Sequence, residues 1–269
     1  MLGKDFRCIL KVTSLDSKRL RFSVTFFFVI IAFLYSCVFI CAENSSGTIF
    51  DLSKTLDNNF SENWQQIIPK KQKAYTNYLV EHEEGRTSLM MSSGGTGSWI
   101  EKDLGEIDVR EYPRMEWSWM VKQFPDVDWE QEKSDDDFAI RIELVFDYKG
   151  SVFNILNMFK RGLYRTVFKH GKPELIISYV WARRVPAEKT YTSPEDSRLI
   201  VFPVESGLGR PGLWMDESRD ISKDLISLAQ EKRYVLKKIR IRADTDNSLS
   251  NAESGLQKLI IRTAGKDEN

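Results

Sequence analysis

Phe138-Ala-Ile-Arg-Ile-Glu-Leu-Val-Phe146 sets a large apolar side chain at every second position. Successive side chains of a strand point to opposite faces. Phe138, Ile140, Ile142, Leu144 and Phe146 therefore form one row and read as core. Ala139, Arg141, Glu143 and Val145 form the other row, as a ligand-facing or solvent-facing surface would. The same period of two recurs elsewhere. In Glu116-Trp-Ser-Trp-Met120 it puts Trp117 and Trp119 on one face. In Lys238-Ile-Arg-Ile-Arg-Ala243 it points Ile239 and Ile241 inward and Arg240 and Arg242 away.

Further strands follow from β-branched and aromatic runs bounded by turn residues. They are expected at Thr76–Glu83, Ser88–Ser92, Trp99–Leu104, Arg114–Val121, Leu175–Ala182, Leu199–Val204, Leu236–Ala243 and Lys258–Arg262. Gly-rich turns separate them, among them Ser92–Gly97 and Gly207–Gly212. Ile221, Leu225, Leu228 and Ala229 have helical spacing and predict one helix near Asp220–Lys232, with Asp220 capping its start. The expected fold is all-β: a jelly-roll or galactose-binding-like sandwich with one or two short helices.

The first 42 residues differ from the rest. Six basic residues, from Lys4 to Arg21, precede a nearly uncharged run, Phe22–Ala42, and all three cysteines lie in this part. Such a segment reads as a signal peptide or an N-terminal membrane-anchoring helix, with the bulk of the chain outside the cytoplasm, in the periplasm or cell envelope. The expected organisation is thus a leader, 1–42, and one sandwich domain, 43–269. The domain has no cysteine, so burial must hold it together without disulfides. Beyond the leader 33 basic residues face 37 acidic ones, a net charge of −4. A mildly acidic domain without a basic block predicts no nucleic-acid partner. An insertion at about 149–172 interrupts the strand pattern and carries six basic and no acidic residues. It reads as a cap packed on the sandwich or as a basic amphipathic membrane contact.

Motifs bound the chemistry. The chain has no His-Glu-x-x-His, phosphate-binding loop, dinucleotide fingerprint or nucleophile elbow. Its two histidines, His82 and His170, have no partner spacing that points to catalysis. Three polar clusters remain. Ser134-Asp-Asp-Asp-Phe-Ala-Ile-Arg141 brings adjacent carboxylates to a strand entry, to be neutralised by Arg141 or by a hard cation. Ala243-Asp-Thr-Asp-Asn-Ser248 reads as Asx-type turns or as part of a calcium loop. Asp135, Asp137, Asp244 and Asp246 are accordingly the candidate metal ligands, with calcium as the candidate ion. Trp214-Met-Asp-Glu-Ser-Arg-Asp220 follows a Gly-rich loop, and Trp214 there is either a sugar-stacking platform or a core anchor.

Taken in order, Trp117-Ser-Trp119, Asp135-Asp-Asp-Phe-Ala-Ile-Arg141, Tyr179-Val-Trp-Ala182, Arg219-Asp220 with Asp224, and Asp244-Thr-Asp-Asn-Ser248 resemble the bacterial envelope family catalogued as domain of unknown function 3047. The resemblance runs from about Phe50 to Ile261 and implies a β-sandwich but no reaction. Two features depart from the family pattern. The 152–168 segment is longer, and Leu225 stands where the family has a tyrosine. The functional expectation is a non-catalytic envelope protein that binds a glycan or another polar ligand through Arg141, Glu143, Trp181, Trp214 and Arg219. The alternatives are a carbohydrate-active hydrolase or lyase using paired carboxylates, and a structural adaptor at the inner membrane.

Overall fold

The computed structural model describes residues 47–56, 60–70, 74–83, 85–132, 136–149, 174–229 and 233–265. The 1–42 leader, Asp135, His170 and nearly all of the 149–172 insertion lie outside the described residues. Among those described, no helix is long and apolar enough to cross a membrane.

The described residues form thirteen strands: β1 (Thr48–Asp51), β2 (Gln65–Ile67), β3 (Asn77–Glu83), β4 (Arg86–Gly94), β5 (Trp99–Ile107), β6 (Arg114–Gln123), β7 (Phe138–Tyr148), β8 (Glu174–Ala182), β9 (Tyr191–Thr192), β10 (Leu199–Ser206), β11 (Met215–Asp220), β12 (Tyr234–Asp244) and β13 (Asn251–Arg262). A four-residue helix α1 (Phe60–Asn63) and a longer helix α2 (Ile221–Ala229) complete the described elements, with a 3-10 turn at Leu52–Lys54. A six-stranded sheet runs β11-β6-β13-β4-β3, with β1 also paired to β13. A seven-stranded sheet runs β2-β5-β12-β7-β8-β10-β9. Neighbours are antiparallel except β8 and β10, which pair in parallel. The expected all-β sandwich is thus present.

The core lies between the sheets. Trp117 and Trp119 of β6 meet Tyr179 and Trp181 of β8 across the gap. Trp117 stacks on Tyr179 at 5.5 Å and Trp119 packs on Trp181 at 6.1 Å. All four are essentially without solvent exposure. Aromatic pairs of this kind contribute about 0.5–1.5 kcal/mol each beyond the area they bury. The expected row Ile140, Ile142, Leu144 and Phe146 joins this core, with Ile239 and Ile241 beside it.

Two parity expectations fail. Phe138 does not share the face of Ile140. The register shifts between Arg242 and Asp244, opposite the start of β7. That irregularity sends Phe138 to the outer side of the seven-stranded sheet while Ala139 and Ile140 both enter the main core. Nor is the row of Arg141, Glu143 and Val145 open to solvent. Each is buried, because a second apolar cluster of Phe138, Val145, Ile176, Val180, Val185 and Leu199 covers part of that outer face.

Helix α2 buries Ile221, Leu225 and Ala229. Asp220 caps it as expected: Oδ1 accepts from Lys223 N at 3.0 Å and Ser222 Oγ at 2.7 Å. Strand β11, just before it, was not legible, because Met215–Asp220 carries four charges in six residues.

Candidate functional site

The outer face of the six-stranded sheet carries an open groove over β3, β4, β13 and β6. Two adjoining hollows of about 160 and 220 Å³ share Glu81, Met90 and Lys122. The floor is built around one glycine. Gly255 of β13 pairs in register with Met90 on one side and Met120 on the other. A Cβ at 255 would lie 2.9 Å from Trp214 Cη2 and 2.8 Å from Met90 Sδ. Only a glycine lets the indole approach the sheet this closely. The 207–214 loop delivers Trp214, and Gly212 N anchors that loop by donating to Val121 O at 2.8 Å. Gly212 has φ +74, a conformation open to glycine without strain. Glu81, Glu83, Arg86, Lys122 and Glu253 line the groove. None of them enters an ion pair among the described residues, so their charged groups remain available to a ligand.

The aspartates gather at the end of β7 and β12. Arg141 grips Asp244 with both nitrogens, Nε to Oδ1 at 3.0 Å and Nη2 to Oδ2 at 2.9 Å. Its Nη2 also donates to the carbonyl and Oδ1 of Asp136. Arg242 Nη2 reaches Asp244 Oδ2 at 2.8 Å, and Asp137 accepts from the backbone of Asn247 and Ser248. Bidentate pairs of this geometry order a junction strongly. Burial, then the Asp244 carboxylate, pushes Asp137 up to about 6. Burial and Asp244 also raise Asp246. Asp137, Asp244 and Asp246 each offer an oxygen within 4.8 Å of the others. This donor set fits a hard cation, but two guanidiniums already stand on Asp244.

A third polar group lies at the edge of the sandwich. Arg219 of β11 binds Asp224 of α2 through Nε at 3.1 Å and Nη2 at 2.8 Å. Tyr179 Oη donates to the same carboxylate at 2.7 Å, and Arg219 Nη1 reaches Glu188 at 3.0 Å. Next to it, Trp119 Nε1 donates to Glu217 Oε1 at 3.3 Å. Burial, then the neighbouring Glu205 carboxylate, raises Glu217 to about 7. Glu205 itself pairs with Arg210 at 3.2 Å.

The residues expected to form one site are therefore dispersed. Trp214 lies on the open groove. Trp181 is 1 % exposed between the sheets, and its indole N–H donates to Gly207 O at 3.2 Å. Its ring has no face left for a ligand, since Trp119 and Phe124 pack on it. Arg141 is 1 % exposed and spent on Asp136 and Asp244. Arg219 is held in the edge cluster, away from the aspartate knot. Glu143 lies under the outer face of the seven-stranded sheet. His82 is exposed on β3 and bonds Thr87 there, with Nδ1 3.0 Å from Oγ1. Sequence reasoning picked out Trp214 and the aspartate cluster around Asp136 but missed the role of Glu217 and the rest of the groove lining. Met90, Met120 and Gly255 come from three strands, and no local spacing connects them.

Two mostly antiparallel sheets closed on an aromatic core, with an aromatic-floored groove outside one of them, define a jelly-roll-like β-sandwich. The chain belongs to the DUF3047 family, described as proteins of unknown function, whose profile matches residues 62–260. No curated protein sequence matches it. Among solved structures it is similar to the family 11 carbohydrate-binding module of the cellulosomal cellulase Lic26A-Cel5E of Clostridium thermocellum, at 9 % identity, 77 % of this chain, 91 % of that chain and a TM-score of 0.39. It is also similar to endoglucanase cel12A from Rhodothermus marinus, at 11 % identity, 74 % and 97 % coverage and a TM-score of 0.35.

Proposed function

We propose that this protein is a non-catalytic binding module whose ligand, a glycan or a comparably polar chain, lies in the groove of the six-stranded sheet. The observation that carries the reading is the seat of Trp214 over Gly255, flanked by Met90 and Met120. A partly exposed indole in a polar-rimmed groove suits the C–H face of a sugar ring, and Glu81, Lys122 and Gln257 line the same groove as hydrogen-bonding groups. The basic and then apolar composition of residues 1–42 supports a site of action outside the cytoplasm, in the cell envelope. Calcium is proposed as a structural ion beside the aspartate knot, bound through Asp137, Asp244 and Asp246. The test is binding of the full chain to an array of bacterial envelope and storage glycans, repeated with Trp214→Ala. Loss of at least tenfold in affinity by a folded variant is expected. Full affinity in that variant removes the groove from the proposal.

A second reading, a carbohydrate-active hydrolase or lyase, is favoured by one observation. Glu217, raised to about 7, lies beside Glu205. A carboxyl whose proton is held by burial beside a second carboxyl is a pattern that acid–base sites use. Release of reducing ends from the same glycans, abolished by Glu217→Gln, would select this reading over the binding one.

A further inference from the structure

The edges of the two sheets are not alike. Among the described residues β1, β2 and β9 present edges of only four, three and two residues. β11, at one end of the six-stranded sheet, carries four charges in six residues. β3, at the other end, runs seven residues without proline, lysine or glycine. Its register against β4 holds from Asn77 to Glu83 with no bulge. At its middle Leu79 is 52 % exposed. Short length, proline, lysine and bulges are devices by which a sheet edge avoids pairing with another chain. β3 has none of them, and its two carboxylates, Glu81 and Glu83, both lie toward one end.

The hairpin fixes which backbone groups β3 offers. Two residues separate Glu83 from its β4 partner Arg86. The closing pair of a two-residue hairpin is hydrogen-bonded, and the pairs alternate from there. Asn77, Leu79, Glu81 and Glu83 therefore turn their N–H and C=O to β4. Those of Tyr78, Val80 and His82 point away from the sheet, and no described backbone group meets them. An extended strand laid alongside would bond them. The side chains decide which strand fits. A second β3, antiparallel about a two-fold axis at Val80, sets Tyr78 against the partner's His82 and Val80 against the partner's Val80. Every outward-facing residue then meets an outward-facing one. On the outer face Leu79 stands beside the partner's Glu81 and Asn77 beside the partner's Glu83. No carboxylate opposes another, and the Asn77 amide is placed to donate to one. Moving the axis to Glu81 would set that carboxylate against itself. Moving it to Leu79 would set His82 against Thr76, whose N–H is already spent on Ser98 Oγ at 2.9 Å.

We propose that β3 pairs with β3 of a second copy of this chain, with Val80 on the two-fold axis, so that the two six-stranded sheets form one continuous sheet. Antiparallel pairing keeps both outer faces on the same side. The two grooves, each lined by Asn77, Leu79 and Glu81 of β3, then adjoin across the axis. The pairing does not depend on what the grooves bind. The test is sedimentation equilibrium of the full chain in a density-matched detergent, where a concentration-dependent dimer is expected. Val80→Pro removes one outward N–H and spares the bonds to β4. Leu79→Glu sets a carboxylate against the partner's Glu81. Each should weaken the dimer tenfold or more. Leu79→Lys sets an ammonium against the same carboxylate and should dimerise at least tenfold more tightly than Leu79→Glu. Leu79 is exposed, so its two variants decide the matter if the proline variant fails to fold. A monomer at every concentration overturns the proposal. So does a dimer that neither Val80→Pro nor Leu79→Glu weakens, or one that Leu79→Lys weakens as much as Leu79→Glu.

Discussion

Replacing Glu217 by glutamine is expected to make the protein more stable at alkaline pH and to change little at acid pH. Burial and the Glu205 carboxylate raise this carboxyl from an ordinary 4.5 to about 7. The folded state therefore holds a proton on Glu217 that the unfolded chain releases near 4.5. The stability linked to that proton is fully present below about 4.5 and is lost as pH rises through about 7. Each pKa unit corresponds to about 1.4 kcal/mol, so the shift sets a ceiling of about 3.4 kcal/mol. Glu217 is only half-buried, and solvent screening reduces the expected effect to about 1–2 kcal/mol. Glutamine carries no charge and keeps an oxygen to accept the Trp119 N–H. Urea unfolding of the two proteins, followed by tryptophan fluorescence at pH 5 and pH 8.5, reads the difference directly. The variant should lead by about 1–2 kcal/mol at pH 8.5 and by less than about 0.5 kcal/mol at pH 5. A gap of the same size at both pH values refutes the reasoning, because a titrating carboxylate must produce a pH-dependent one. Glu205→Gln is a further check, since removing that carboxylate should narrow the gap.

Three other perturbations follow from the geometry. Arg141→Met should destabilise the fold by about 3–5 kcal/mol in chemical denaturation, because it strands Asp136 and Asp244 without their counter-charge; a loss below about 1 kcal/mol would show that Arg242 alone suffices. Gly255→Ala should leave the strand pairing intact but displace Trp214, whose Cη2 would stand 2.9 Å from the new Cβ, and glycan affinity should fall with little change in the far-ultraviolet circular dichroism. Calcium should raise the melting temperature and a chelator should reverse it, by about 2.7 kcal/mol at a hundredfold excess over Kd; an unchanged melting curve leaves Arg141 and Arg242 as the sole counter-charges of Asp244.

The all-β class, most strand positions, the shared face of Trp117 and Trp119, the cap of α2 at Asp220 and the DUF3047 membership were legible in the amino-acid sequence. These rest on local signals: a period of two, a helical spacing, a capping carboxylate and a chain-ordered set of motifs. It also pointed to Arg141 as the partner of the neighbouring aspartates, because six residues of chain hold Asp136 and Arg141 together. What it could not decide is which side of each sheet faces inward and what covers the other side. Trp181 and Trp214 are the same residue type, and neither neighbourhood says that one is clamped between Trp119 and Phe124 while the other lies against Gly255. A bulge opposite Phe138 reversed its face, and a bulge leaves no composition signal. β11 was hidden because an edge strand with few buried positions does not need alternating apolar residues. The groove and the Glu217–Glu205 pair join residues far apart in the chain. Only the pairing of strands, fixed by backbone hydrogen bonds and by burial of the two inner faces, brings them together.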